Sequence, residues 1–292
     1  PDARGRGDAL GPADEARLID QLRAVGANAT RSQLPLSESL LERLDAAGIL
    51  VWQLIGPWEH AGLHVSTTAP ATARDRAVRI AETQQPHPSI VAWTLTNELE
   101  GAGRPGLQHY VRKTTERLHA ADRTRPVAVD IWGSHPPSAA GGVFPGLDAI
   151  GVTDYVGWYS DLDAAPDEQV AIARDRLARL RALFPSKPIV ITELGAIGTR
   201  RARSPGDFGG LRFQAQLLGR RIAGLRGVPG LSGAIVWSLR DYALRPDFTG
   251  GSVLKRRPGL TITPGLNEKG LYDYAGRAKP ALATVRRAFA RR

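Results

Sequence analysis

In the run HPSIVAWTLTNELEG, from His87 to Gly101, an apolar strand ends abruptly in Asn97 and Glu98, with a second acid at Glu100. A polar pair at the C-terminal end of a parallel strand is where α/β barrels place their reacting groups, because the loops there ring the mouth of the barrel. KPIVITELGAIG (Lys187 to Gly198) repeats the arrangement, with five residues of buried-strand character followed by Glu193. Outward from these two runs, short β-branched segments alternate with segments of helical apolar spacing, the order of a parallel sheet covered by helices.

The alternation predicts seven strands: Ala27 to Gln33, Ile49 to Ile55, Ile90 to Glu98, Pro126 to Trp132, Ala149 to Tyr155, Pro188 to Gly195 and Gly233 to Tyr242. Between them, Leu18, Ile19, Leu22 and Val25 mark one helix, and Leu40, Leu41 and Leu44 a second, with Ser37 placed to cap it and Gly48 to end it. Val170, Ala173, Leu177, Leu180 and Phe184 step by three and four, as do Leu211, Ala215, Leu218, Ile222 and Leu225, and a last helix carries Leu282, Val285 and Phe289. The chain opens with a helix where a closed barrel opens with a strand. The expected fold is therefore an α/β TIM (β/α)8 barrel lacking its first strand on the N-terminal side, with residues 1–292 forming one domain. The absence of methionine agrees with a chain that begins inside a longer one, with any signal peptide upstream. Two stretches read as long loops, Gly133 to Leu147 and Ala243 to Ala278, and connections of that length in a compact domain are usually functional.

A chain of 292 residues, 42% of them hydrophobic, is long enough for one such barrel, which typically takes ~250. No apolar run approaches the ~20 residues that span a bilayer, so a soluble globular chain without a membrane partner is expected. The formal charge of +10 comes from 34 Arg and 5 Lys scattered over most of the helices, a distribution that does not outline a nucleic-acid footprint. There is no cysteine, which excludes disulfides, thiolate metal sites and thiol nucleophiles. His60 and His64 lie four apart, but Gly62 between them and the lack of HExxH argue against zinc. No GxSxG, phosphate-loop or GxGxxG motif is present, so neither a metal nor a cofactor is expected. Arg6-Gly7-Asp8 reads as loop, and Lys255, Arg256 and Arg257, like the final Arg291 and Arg292, as solvated surface.

Two carboxyls held ~5 to 5.5 Å apart can break a glycosidic bond with retention, one attacking the anomeric carbon and the other shuttling the proton. The attacking group must be ionised and the donor protonated at one pH, so their environments must differ. The competing reading is that each Glu caps or pairs locally, and it weakens when two acids follow two apolar strands of one barrel.

Read together, these segments resemble the catalytic barrel of glycoside hydrolase family 2, which holds β-galactosidases, β-glucuronidases and β-mannosidases. The resemblance begins at LRAVGANATRSQLPLS (Leu22 to Ser37) and LLERLDAAGILVW (Leu40 to Trp52). It continues through HPSIVAWTLTNE, DYVGWYSD (Asp154 to Asp161), KPIVITELG and GAIVWSLRDY (Gly233 to Tyr242), and closes with LNEKGLYDYAGRAKPAL (Leu266 to Leu282). It implies that Glu98 is the acid/base, that Glu193 is the nucleophile, and that Asn97 bonds the sugar 2-hydroxyl. It also implies that Arg31 sets a permanent charge beside the nucleophile, that Tyr155 reaches the same group, and that Trp237 floors the sugar ring. For Trp237 the plain alternative is a core aromatic, and for Arg31 a surface ion pair. Asn267 and Lys269 resemble the Asn-x-Lys pair with which β-glucuronidases hold the sugar carboxylate, although β-galactosidases of the family can carry a similar tripeptide.

The resemblance has departures. Related barrels usually read His and Tyr before Pro after the arginine, where this chain has Gln33 and Leu34 before Pro35, and an acid usually ends the strand that here reads Gln53 and Leu54. Both changes are expected to remove groups lining the sugar pocket. The family's N-terminal sandwich domains and first strand are not among these residues. The expected function is a retaining exo-β-glycosidase acting on a carbohydrate substrate, a terminal β-galactoside or β-glucuronide, by double displacement. A non-catalytic carbohydrate-binding barrel and an endo-acting β-glycanase are the alternatives.

Overall fold

The computed structural model describes residues 9–57, 69–248 and 252–290. His60, His64, Arg6-Gly7-Asp8, Arg291 and Arg292 lie outside them. All seven expected strands form: β1 Ala29–Ser32, β2 Leu50–Leu54, β3 Ile90–Thr94, β4 Val127–Trp132, β5 Ala149–Thr153, β6 Ile189–Leu194 and β7 Leu231–Val236. They pair in chain order, every neighbour parallel. The sheet curls into a nearly closed barrel. β1 and β7 face each other across a cleft of about 800 Å³, lined by Leu22, Val25, Ile235 and Phe289 among others. No eighth strand pairs with either edge among the described residues.

The helices follow from their ends as much as from their faces. α1 (Pro12–Val25) starts with proline at its first position, where the missing N–H costs nothing. Asp14 accepts the Gly11 N–H at 3.1 Å, and Leu18, Ile19, Leu22 and Val25 go into the core. α2 (Glu38–Ala47) has the expected cap, the Ser37 hydroxyl accepting the Leu40 N–H at 3.3 Å, and stops at Gly48, whose φ of 65° suits a residue without Cβ. α5 (Pro166–Leu183), α6 (Leu211–Gly224) and α8 (Pro280–Ala290) match the expected spacings. Two further helices, α3 (Ala69–Gln84) and α4 (Pro105–Ala121), were not anticipated. The buried positions of α3 include Ala77, Val78 and Ala81, whereas those of α4 include Leu107, Tyr110, Val111 and Leu118, an apolar spacing that the sequence reading passed over.

The supposed loop from Ala243 to Ala278 is corrected by the structure: it contains a short helix α7 (Val253–Arg256) and the strand β9 (Leu266–Asn267), which pairs antiparallel with β8 (Tyr242–Ala243). The last expected strand, Gly233 to Tyr242, is thus two elements. Ile90 to Glu98 likewise exceeds β3: regular pairing ends at Thr94, although the Leu95 N–H still donates to the Ala128 carbonyl, the Asp130 N–H to the Thr96 carbonyl, and Leu99 bridges to Ile131.

The main core lies between sheet and helices. A smaller cluster of Trp52, Ala92, Ala128 and Ala149 fills one layer of the barrel interior, with Val190 and Ile235 against it. One tryptophan among alanines leaves space for a second, polar layer above, where Arg31, Thr94 and Asp130 are buried.

Candidate active site

The polar layer opens at the C-terminal ends of the strands. Arg31, next to last in β1, has a fully buried side chain and divides its guanidinium among three acceptors: Nη1 donates to Glu193 Oε1 at 2.8 Å, Nη2 to Asn97 Oδ1 at 2.8 Å, and Nε to Asp130 Oδ2 at 2.9 Å. Its ion pairs are interior ones, so the surface-pair reading fails. The Tyr155 hydroxyl, just past β5, donates to the other oxygen of Glu193 at 2.6 Å. Burial, followed by the nearby Glu193 charge, pushes that phenol well above its usual range, so it remains a donor.

Glu193 reaches this position through an irregularity. Val152 pairs with Ile191 but Thr153 pairs with Glu193, so β6 carries one extra residue at Thr192. A bulge of this kind re-aims a side chain that strict alternation would send outward. Glu98 sits past β3 with φ of 47°, an uncommon backbone conformation for a residue with Cβ. Burial raises its carboxyl to about 8, the Glu193 charge adds to the rise, and Lys269 and Arg31 oppose it. At neutral pH Glu98 is therefore mostly protonated, beside a nucleophile candidate that three donors hold. Glu100, the other acid of the run, is exposed and pairs with His135 at 3.1 Å.

Trp237 follows β7 and is partly exposed. Its ring lies edge-on to Tyr242, with Nε1 3.2 Å from the Tyr242 hydroxyl, and the Arg31 guanidinium carbon is 6.0 Å from its ring centroid. That environment differs from the sealed one of Trp93 or Trp158. Asn267 and Lys269 come from β9 and the residues after it. Asn267 Nδ2 donates to the Tyr242 hydroxyl at 2.9 Å, and its Oδ1 accepts the Lys269 N–H at 3.1 Å. Lys269 Nζ donates to the Tyr159 hydroxyl at 2.7 Å and stands 4.9 and 5.7 Å from the Tyr159 and Tyr155 ring centroids. Glu268 between them turns away, bonding Thr199 and Thr263. All eight expected site residues thus converge on one end of the barrel.

Sequence reasoning missed several partners. Gln33 was expected to remove a group from the pocket, yet its Nε2 donates to Glu193 Oε1 at 2.8 Å and to Asn97 Oδ1 at 3.1 Å. Gln53 does withdraw, donating to the Leu34 and Leu54 carbonyls. Asp130, inside β4, Tyr159, after β5, and Tyr242, at the start of β8, were not singled out by the sequence. Lys279 and Asp241 form a buried pair at 2.7 Å, and Lys279 also holds the Glu268 carbonyl at 2.8 Å, which fixes the segment bearing Asn267 and Lys269. Among the described residues no three His, Cys, Asp or Glu side chains gather as a metal ligand set. No helix there is long and apolar enough to cross a membrane.

Comparison with known proteins agrees with this architecture. A β-glucuronidase of Streptococcus agalactiae is 28% identical over 256 residues, 82% of this chain and 42% of its own length. One from Paenibacillus borealis is 25% identical over 98% of this chain and 46% of its own length. The chain thus spans less than half the length of these relatives. Among solved structures, a β-D-glucuronidase from Dictyoglomus thermophilum superposes over 100% of this chain and 49% of its own, with a TM-score of 0.81 at 22% identity. A β-galacturonidase from Eisenbergiella tayi gives 0.80 at 21% identity, over 99% of this chain and 49% of its own. At that identity the two structures speak to the fold. The family model described as "Glycosyl hydrolases family 2, TIM barrel domain" matches residues 2–202, and by that match the chain belongs to glycosyl hydrolase family 2.

Proposed function

We propose that this protein is a retaining, exo-acting β-glycosidase whose terminal sugar is a uronic acid, a β-glucuronide in the first instance, and that residues 1–292 act as one catalytic domain. In the first step a Glu193 oxygen attacks the anomeric carbon, the bond from that carbon to the leaving oxygen breaks, and the Glu98 proton passes to that oxygen. In the second, the Glu98 carboxylate takes a proton from water, the water oxygen bonds the anomeric carbon, and Glu193 leaves as carboxylate. Asn97 faces the 2-hydroxyl and Trp237 the sugar ring. The segment carrying Asn267 and Lys269 brings both side chains beside the site, on Tyr242 and Tyr159, which favours a pocket for a chain end over an open cleft.

The observation that carries the uronide is Lys269. Its side chain is buried, and no carboxylate lies within ion-pair distance of its Nζ among the described residues. Its charge acts on the Glu98 carboxyl without bonding it, and its direct partner is the Tyr159 hydroxyl with the Tyr155 ring beside it, so a sugar carboxylate supplies the bonded anion that a buried cation requires. A neutral galactoside leaves it unpaired.

The test is intact-mass and peptide mapping after incubation with 2-deoxy-2-fluoro glycosyl fluorides of the glucurono, galacto and gluco series. These slow the second step more than the first and trap the intermediate. The expected result is one adduct, on the peptide holding Glu193, formed fastest by the glucurono reagent. Fastest labelling by the galacto reagent replaces the uronide with a neutral sugar, and no adduct in a folded sample replaces the enzyme with a carbohydrate-binding barrel. Lys269→Met is expected to lower kcat/KM for a uronide by about 10- to 100-fold, the worth of one charge-assisted hydrogen bond.

A further inference from the structure

The most buried carboxylate of the polar layer is one that the two chemical steps do not use. Asp130, in the middle of β4, has no solvent exposure. One of its oxygens, Oδ2, takes both Arg31 Nε at 2.9 Å and Arg31 Nη2 at 2.7 Å. The other, Oδ1, accepts Trp52 Nε1 at 3.0 Å and the Thr94 hydroxyl at 3.2 Å. Side chains from β1, β2 and β3 therefore meet on one carboxylate, and all of its bonds are donors that fix its plane. The neighbouring strand is shaped to admit it: a Cβ added at Gly151 on β5 stands 1.9 Å from Asp130 Oδ1, although Gly151 has no backbone need to be glycine.

We propose that Asp130 is a positioning residue that holds the Arg31 guanidinium so that one rigid group touches Glu193 and Asn97 together, coupling attack at the anomeric carbon to recognition of the 2-hydroxyl. The planar guanidinium presents donors in fixed directions, so anchoring the Nε/Nη2 edge on Asp130 determines where Nη1 and the second Nη2 hydrogen point. Those two donors meet Glu193 Oε1 and Asn97 Oδ1, each at 2.8 Å. Without the anchor, the same cation is free to swing toward Glu193 alone, and the two contacts separate. The inference rests on the assignment of Glu193 and Asn97 above.

The test compares kcat/KM for an aryl β-glucuronide with kcat/KM for its 2-deoxy counterpart, in the full natural chain and in two variants. Asp130→Asn keeps the volume and removes the charge. Gly151→Ala leaves every charge in place and pushes the carboxylate with a methyl group. Both are expected to lose about 100-fold on the 2-hydroxy substrate, the scale on which a misplacement of one ångström acts. Both are expected to lose about tenfold or less on the 2-deoxy substrate, so the ratio between substrates collapses. Because both rates come from one sample, that ratio is unaffected by the fraction of variant that folds. If labelling by the 2-fluoro reagent marks Glu193 but both variants keep the wild-type ratio, Asp130 is a structural residue and the inference is overturned while the nucleophile stands. If the reagent marks no residue or another one, the nucleophile assignment falls and takes the coupling with it.

Discussion

At the scale of single residues, the site separates two carboxyls by environment. Glu193 faces Arg31, Gln33 and Tyr155, all donors, whereas Glu98 is half-buried with a carboxyl group near it and is raised to about 8. A proton donor must be protonated to act, so kcat/KM is expected to fall as pH rises through about 8, the value belonging to Glu98. Glu98→Gln removes the titrating group. On substrates with a basic leaving group it is expected to lower turnover by about 10²- to 10⁴-fold and to abolish that alkaline limb, while an activated aryl substrate keeps a fast first step. A pH series from 6 to 10 on both proteins checks this, and a limb that persists in Glu98→Gln assigns it to another group. The two acids were legible from the sequence because each follows an apolar strand. Their unlike surroundings were not, since Gln33, Asp130 and Tyr159 reach the site across distances in sequence of up to 160 residues, and no local pattern encodes such convergence. The bulge at Thr192 was hidden for the same reason: it exists only relative to the neighbouring strand.

At the scale of elements, two anchors decide where the functional segments stand. His87, between α3 and β3, is buried between two acids of α2, with Nδ1 2.6 Å from Asp45 and Nε2 3.0 Å from Glu38. Burial opposes the charged imidazole, but the bonds to Asp45 and Glu38 outweigh it and raise His87, and the bonds from Ser89 and His87 outweigh burial and lower Asp45. The raised His87 contributes stability that is complete below its ordinary 6.5 and lost as pH climbs through the higher folded value. The lowered Asp45 contributes above 3.8 and loses that contribution as pH falls through the depressed value. The melting temperature of the native chain relative to His87→Leu is therefore expected to be greatest between about pH 4 and 6.5 and to shrink above. A difference that is flat across this range removes the charged pair from the account. The second anchor is Lys279 on Asp241, both side chains almost wholly buried. Burial already raises the Asp241 carboxyl to about 7 with Lys279 beside it, so Lys279→Met leaves an acid that stays protonated at neutral pH and strands a charge only well above it, where urea unfolding is expected to show a cost of about 3–5 kcal/mol. Lys279→Met also frees the Glu268 carbonyl, so kcat/KM on a uronide falls with it, and Asp241→Asn in the same chain restores part of the stability at the higher pH because no lone charge remains. Helix ends such as Ser37 and Gly48 were readable because caps are local chemistry, whereas the fold of the segment after Tyr242 was not, because its strands are two residues each and depend on this distant pair.

At the scale of the whole molecule, the seven strands of the barrel among the described residues leave two edges, and the chain treats them unlike its centre. Every residue of β5 is buried, and all of β4 but Trp132, whereas none of β7 is, and β7 lines the apolar cleft with β1. In a parallel ladder the N–H groups of a strand point alternately to its two neighbours, so an edge strand leaves half of them without a partner strand. Opening free energy also falls where few apolar contacts bury the backbone. Hydrogen exchange followed by mass spectrometry is therefore expected to show peptides covering Leu231–Val236 exchanging at least about tenfold faster than those covering Val127–Trp132 and Ala149–Thr153. Trp237 directly follows the exposed edge and Arg31 lies in the opposite one, so the floor and the cation of the site both hang on the least protected strands. An extended segment that pairs with these edges should slow exchange at 231–236 and raise kcat together, because the same ladder bonds that shield the amides fix Trp237 against Arg31. Equal protection across β4, β5 and β7 would show instead that the barrel is sealed as it stands, and that the cleft between β1 and β7 is a packed seam with no bearing on the site.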